Sequence, residues 1–280
     1  MGATLAGVSA FCFGTALVTA KFGLRALSAR SGAAISIPTA TLLLVVVAPF
    51  ALDLSGFTAG AALVFAVVGV FFPAVVTLLT FASNERLGPS VTGTISCTAP
   101  LFALLAALLI LGERIPARAV LATAGVVAGV ALLSWTPGAG RSLVARGLWL
   151  PLTGAALRGL AQVVAKAGLA LWPSPFAASL IGYGVSTVTV TLASPRDNRP
   201  RTRAAVLWFM ATGVLNGAAV LLMYAALATA PVSLVAPLVA GYPLVTVLLG
   251  AAVLHEEKLT TRVVAGAALI VAAIAYLVAR

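Results

Sequence analysis

Arg158, Gln162 and Lys166 stand four residues apart within LRGLAQVVAKAGL, positions 157–169, in the middle of an apolar run. At about 3.6 residues per helical turn, this spacing stacks the three side chains on one face. A permanently charged guanidinium beside an amide suits a carboxylate or a phosphate, which accept paired charge-assisted hydrogen bonds. Arg158 lies about ten residues from either end of its run, roughly 15 Å of helix rise, which is farther than its side chain readily snorkels. A central arginine facing lipid costs about 2.5 to 3.5 kcal/mol on insertion scales, so it should face protein or a water-filled cavity. The stripe is therefore expected to line a pathway; the alternative is that Arg158 caps a backbone carbonyl or pairs structurally.

Other chemistries are excluded by what the sequence lacks. His255 is the single histidine, so no histidine-based metal cluster can form, and no cofactor is expected. Cys12 and Cys97 lie within apolar runs without a partner motif and read as small buried hydrophobes. An intramembrane enzyme would need a nucleophile with its base, or a metal. The one candidate grouping, His255, Glu256 and Glu257, is consecutive in sequence, and consecutive residues do not share a helix face. The chain is not expected to be an enzyme.

The elements that must position the stripe follow from composition. Of 280 residues, 62% are hydrophobic and 8% charged, outside the range of soluble chains. Ten apolar stretches fit helices crossing a lipid bilayer: Ala3–Phe22, Ala33–Leu52, Gly60–Phe81, Pro89–Leu111, Ala119–Trp135, Leu148–Leu169, Pro175–Ala193, Ala204–Leu227, Pro231–Leu254 and Val263–Val278. None alternates as a membrane strand would. Before the first stretch there is no charged region of a cleavable signal, so it is expected to be the first span itself.

The net charge of +11 is scattered among connections and forms no basic face of the kind that reads nucleic acid. Arg25, Arg30, Arg86, Arg141, Arg146, Arg196, Arg199, Arg201, Arg203, Lys258 and Arg262 fall on one side of the membrane; Arg114, Arg118 and Arg280 fall on the other, with both termini. The positive-inside rule taken alone puts the larger group in the cytoplasm.

The chain also repeats itself. GTALVTAKFGL at 14–24 and GLAQVVAKAGL at 159–169 agree at seven of eleven positions, at an offset of 145. At an offset of 143, Leu78-Leu79 pairs with Leu221-Leu222, Ser90 with Ser233, Pro100-Leu101 with Pro243-Leu244, and Glu113 with Glu256. Each half holds five spans, an odd number, so the halves enter the membrane from opposite sides. Inverted repeats are characteristic of secondary transporters, whose related halves rock about a site near the midplane. Lys21 and Lys166 become repeat mates directed to opposite faces, as a pair of gates would be, or as interfacial anchors. Pro100 and Pro243 interrupt corresponding spans, and matched interruptions point to the site.

Phe13-Gly14 early in the first span, Lys21 at its end, APLFALLAALLILGERI at 99–115 and YPLVTVLLGAAVLHEEKLTTR at 242–262 together resemble the EamA-type branch of the drug/metabolite transporter superfamily. The resemblance spans essentially the whole chain. It implies repeats at 1–140 and 141–280, and a central cavity surrounded by spans one, three, four, six, eight and nine. That places Asn216 and Tyr224 of the eighth span and Tyr242 of the ninth near the cavity. Two departures stand out. Phe13 occupies the place of the family's usual Trp, and the family keeps both termini in the cytoplasm, opposite to the basic-residue count.

The expected protein is an all-α, multi-pass protein of the cell (plasma or inner) membrane, with ten helices as two inverted five-helix repeats. It exports small metabolites, anionic or zwitterionic ones such as amino acids, by alternating access. Arg158, Gln162, Asn216, Tyr224 and Tyr242 are the candidate substrate contacts; Lys21, Lys166, Pro100 and Pro243 are the candidate gating or pathway residues. Asp53, Glu85, Glu113, Asp197, Glu256 and Glu257 all fall in connections or at helix ends, which leaves no membrane-embedded carboxylate to carry a proton. Glu113 and Glu256 are expected to cap helices. A lipid-linked sugar carrier, a polyamine or drug carrier, and a non-transporting membrane scaffold are the competing readings. Gly125 and Gly129 permit close helix packing in a monomer or a homodimer.

Overall fold

The computed structural model describes residues 1–87, 92, 95–134, 147–193, 202–254 and 260–279. Ser90, His255, Glu256, Glu257 and the basic residues Arg141, Arg146, Arg196, Arg199, Arg201, Lys258 and Arg280 lie outside them, as does the expected start of the fourth span at Pro89. The side chain of Glu85 is likewise not described.

All regular structure among the described residues is helical, and it forms ten spans. In the first half these are Gly2–Leu24, Ala29–Ala51, a third span from Ala59 to Leu87, a fourth whose regular part is Ala99–Leu111, and Ala117–Ser134. The second half has Trp149–Leu171, Pro175–Ala193, Arg203–Thr229, a ninth span from Val232 to Leu254, and Thr261–Val278. Among the described residues, seven helical stretches are long and apolar enough to cross a membrane. The sixth span, at 23 residues, is long enough but is not among them, because its polar stripe lowers its hydropathy. The chain is a multi-pass membrane protein.

Local sequence sets where several spans begin. Ser28, Thr58 and Thr202 are extended residues whose side-chain oxygens accept from the amides of Ser31, Ala61 and Ala205, satisfying N-terminal donors of the second, third and eighth spans. Gly112 ends the fourth span at φ 62°, a left-handed position that favours glycine. Side chains such as Leu42, Val46, Phe50 and Leu109 stay exposed on the outer surface, as a lipid-facing surface requires.

Three spans are interrupted: the fourth and the ninth beside Pro100 and Pro243, as expected, and the third, where a continuous helix was expected. The third span leaves helical geometry at Phe72 (φ −133°, ψ 124°), next to Pro73, and passes through a π-helical stretch, Val70–Val75, before resuming at Val76. It runs on to Leu87, beyond the expected end at Phe81. Proline lacks the amide that an unbroken helix needs, which accounts for the interruption. The ninth span splits into Val232–Val239 and Tyr242–Leu249, joined by a turn at Ala240-Gly241. The fourth has a turn at the matching place, Cys97-Thr98, before its helix starts at Ala99. Pro100 and Pro243 therefore sit in the first turn of a new helix, where their fixed φ and missing amide cost nothing.

The packing follows the repeat. A Cβ at Gly14 would stand 2.7 Å from Tyr242 O and 2.6 Å from Val245 Cβ, so the first span lies directly on the ninth. At Gly159, its mate, a Cβ would stand 2.6 Å from Ala99 O and 2.9 Å from Phe102 Cβ, so the sixth lies on the fourth in the same way. Ser9 donates to Ala219 O at 2.7 Å, and the hydroxyls of Thr19 and Thr212 are 2.8 Å apart, which binds the first span antiparallel to the eighth. Gly168 meets Phe65 and Gly154 meets Leu79, which sets the sixth span against the third. Two groups result, spans one, eight and nine, and spans six, three and four; each contains helices from both halves.

The remaining spans buttress these groups. Thr41 of the second span donates to Tyr183 O of the seventh at 2.9 Å, and its hydroxyl is 2.7 Å from that of Thr187. Gly125 packs on Ala273, and a Cβ at Gly129 would be 2.8 Å from Gly266 O. The G-x-x-x-G spacing of the fifth span thus serves its contact with the tenth, within one chain.

Candidate functional site

Between the two groups lies a narrow cleft with room for about one water molecule. Phe13 reaches it from the first span, Phe72 from the third, Ser96, Ala99 and Pro100 from the fourth, and Arg158 and Gln162 from the sixth. Met223 of the eighth and Ala236, Val239, Ala240 and Tyr242 of the ninth complete it. These are the six spans that the family resemblance implies.

Several lining residues are placed by irregularities, while Phe13, Arg158, Gln162 and Met223 project from continuous helices. The break at Phe72 turns that ring inward from the third span. The turns at Cys97-Thr98 and Ala240-Gly241 bring the starts of Ala99–Leu111 and Tyr242–Leu249 to the cleft wall. Neither helix start carries a side-chain cap, so the positive ends of both helix dipoles lie beside the cleft. Gly159 lets the sixth span approach the fourth closely, immediately after Arg158.

Arg158 is half-buried, with its guanidinium carbon 5.7 Å from the Tyr242 ring centroid. Phe13 packs against the same ring, 6.3 Å between centroids and tilted by 55°. Gln162, one turn along, is 3% exposed, and its buried Oε1 finds no hydrogen-bond partner among the described residues. Among the described residues no aspartate or glutamate lines the cleft, and no group of His, Cys, Asp and Glu able to hold a metal occurs. Chemically, the arrangement offers one cation, an unused amide carbonyl, aromatic faces and two helix N-termini.

The sequence-selected residues divide in three. Arg158, Gln162, Tyr242 and Pro100 come together in the cleft, with Pro243 directly behind Tyr242 in the same helix turn. Asn216 and Tyr224 do not line it: Asn216 is half-buried in the eighth span, and Tyr224 is fully buried one residue beyond the lining Met223. Each lysine lies towards the C-terminal end of its span, the first for Lys21 and the sixth for Lys166. Lys21 is in the last turn of the first span. The Nζ of Lys166 donates to Leu227 O at 3.0 Å and to Ala230 O, so the third member of the stripe caps the end of the eighth span.

Glu113 also acts as a cap. Its Oε2 accepts from Val232 N at 3.1 Å, and its Oε1 accepts from Ser233 N at 3.0 Å and Ser233 Oγ at 2.6 Å. Phe72, Ser96 and Met223 were not selected from the sequence. Pro73 is the one signal that could have found Phe72, whereas Ser96 and Met223 are unremarkable in apolar helices.

No curated protein matches the chain. A solved structure described as "Crystal structure of protein" superposes with a TM-score of 0.80 at 18% identity, covering 99% of this chain and 95% of that one, which shows a shared fold. The EamA-like transporter family model matches residues 1–135 and again 145–279. With both halves of the sequence matched and the cleft lying between their repeat-related helices, the chain belongs to the EamA-like transporter family, a family of membrane transporters and not of enzymes.

Proposed function

We propose that this transporter moves small anionic or zwitterionic metabolites, amino acids among them, outward across the cell membrane by alternating access at the Arg158 cleft. The observation that carries this reading is the electrostatics of the cleft: a half-buried guanidinium and two uncapped helix N-termini, with no lining carboxylate among the described residues. A substrate carboxylate would meet Arg158 between the ends of the fourth and ninth half-helices, where both dipoles favour negative charge. Gln162 Oε1, one turn along the sixth span, would accept from an ammonium or hydroxyl on the same molecule. Phe13, Phe72, Met223 and Tyr242 would pack against an apolar side chain.

Asn216, Tyr224, Lys21 and Lys166 act outside this cleft in the present conformation, as supports or as parts of the gates. The repeat units are taken as 1–140 and 141–280, in a monomer or a homodimer. A polyamine or cationic drug carrier would benefit from the aromatic faces, but Arg158 opposes a cation. A lipid-linked sugar would need a lateral path, and a scaffold would have no use for a central arginine.

Counterflow in proteoliposomes tests the reading. Vesicles are loaded with mixed unlabelled metabolites, labelled amino acids and small organic acids are added outside, and wild type is compared with Arg158→Ala. Uptake by wild type that the folded variant loses is the expected result. Uptake that Arg158→Ala leaves unchanged would remove the cleft from the mechanism.

A further inference from the structure

Glu113 and Lys166 hold one short turn from two sides. The turn joins the eighth span, which ends at Thr229, to the ninth, which starts at Val232. Lys166 binds the carbonyls of Leu227 and Ala230 at the helix end, while Glu113 binds both Val232 and Ser233 at the following helix start. Each charge matches the dipole end it touches, a cation at a C-terminus and an anion at an N-terminus. Both caps also come from the opposite helix group. Lys166 belongs to the sixth span and Glu113 follows the fourth, whereas the turn belongs to the group of spans one, eight and nine.

These bonds lie at the membrane face where the chain starts, since a Cβ at Gly2 would touch Ala230. Separating the two groups at that face means breaking the five hydrogen bonds that Glu113 and Lys166 make to the turn. We propose that Glu113, Ser233 and Lys166 form a latch that holds the cleft shut towards the N-terminal face and is released when the transporter opens there. The sequence carries the same residue types at the repeat-related positions Glu256, Ser90 and Lys21, the composition that a counterpart at the other face would need. Ser233 Oγ is the member whose removal perturbs folding least, because it takes away one hydroxyl and leaves both backbone bonds to Glu113 intact.

The latch rests on reading the cleft as the transport pathway, and its test needs no substrate. In full-length protein with Cys12→Ala and Cys97→Ala, a single cysteine is placed in the cleft by Ala236→Cys, one turn beyond Ser233. A membrane-impermeant maleimide is applied to either face of oriented vesicles. Ser233→Ala and Glu113→Gln are expected to raise labelling from the N-terminal face at least about threefold, and to lower it from the other face as the population shifts. Unchanged labelling in Ser233→Ala, or an equal rise at both faces in both variants, overturns the latch; the equal rise is what mere loosening of the fold gives. If Glu113→Gln does not remain monodisperse in detergent, Ser233→Ala alone decides. Opposed shifts in a protein that takes up no metabolite would keep the latch and discard the substrate reading.

Discussion

Arg158 and Phe13 occupy repeat-related positions, 145 residues apart, and both pack on the single ring of Tyr242, at 5.7 Å and 6.3 Å. The pseudo-twofold relation therefore brings a cation from one half and an apolar ring from the other to the same tyrosine. A symmetric backbone carries an asymmetric cleft. On the proposed reading, that asymmetry would give a bound molecule one orientation, with its anionic group towards the sixth span and its apolar part towards the first.

The charge on Arg158 is expected to set substrate affinity. A hydrogen bond to a charged group contributes about 1.5 to 3 kcal/mol, so Arg158→Ala should raise the concentration for half-maximal counterflow by at least about tenfold. Arg158→Lys keeps the charge but loses the planar fork, and should fall between wild type and alanine. Equal affinity in wild type and Arg158→Ala would place substrate elsewhere.

Tyr242 is expected to act through its ring. Tyr242→Phe preserves the face that Arg158 and Phe13 use and should stay within about threefold of wild type. Tyr242→Leu removes a cation–π contact of about 0.5 to 2 kcal/mol, which corresponds to about two- to thirty-fold in affinity if the contact orients the guanidinium. A loss in Tyr242→Phe as large as in Tyr242→Leu would assign the work to the hydroxyl.

Much of this was legible in the sequence because membrane physics leaves few choices. A central arginine must find protein or water, and Arg158 and Gln162 do line the cleft; matched prolines at 100 and 243 do mark the helix breaks. Lys166 was not legible as a cap, since its partners are backbone carbonyls 61 and 64 residues away, and carbonyls leave no trace in side-chain pattern. Asn216 and Tyr224 share the eighth span with Met223, and periodicity cannot say which face of an apolar helix meets the cavity. The inward turn of Phe72 depends on how the third span re-forms after Pro73, which packing decides.

Transport is not expected to need a pH gradient. Among the described residues no carboxylate lines the cleft, and Glu113 is occupied by three hydrogen bonds from the turn it caps. Collapsing the gradient with a protonophore should change counterflow by less than about twofold. A strict requirement for the gradient, lost in Glu113→Gln, would make that carboxylate a proton carrier and sink this expectation.

Gly14 and Gly159 are expected to be equally intolerant of a methyl group. At Gly14 the added Cβ would stand 2.7 Å from Tyr242 O, and at Gly159 2.6 Å from Ala99 O, both backbone atoms that can move only with their helices. Alanine favours a helix over glycine by about 1 kcal/mol, but overpacking at a close crossing costs about 1 to 3 kcal/mol, so the net sign is destabilising or near zero. Gly184 supplies the control: it lies in the seventh span with nothing within 4 Å of its added Cβ, so Gly184→Ala should be neutral or stabilising. Thermal unfolding in detergent should rank Gly14→Ala and Gly159→Ala together and below Gly184→Ala. Both crossings abut the cleft wall, so the two variants should also slow counterflow, whichever half carries the change. A Gly159→Ala protein as stable as Gly184→Ala would mean that the sixth and fourth spans do not meet backbone to backbone, and the placement of Arg158 beside the fourth-span helix start would fail with it.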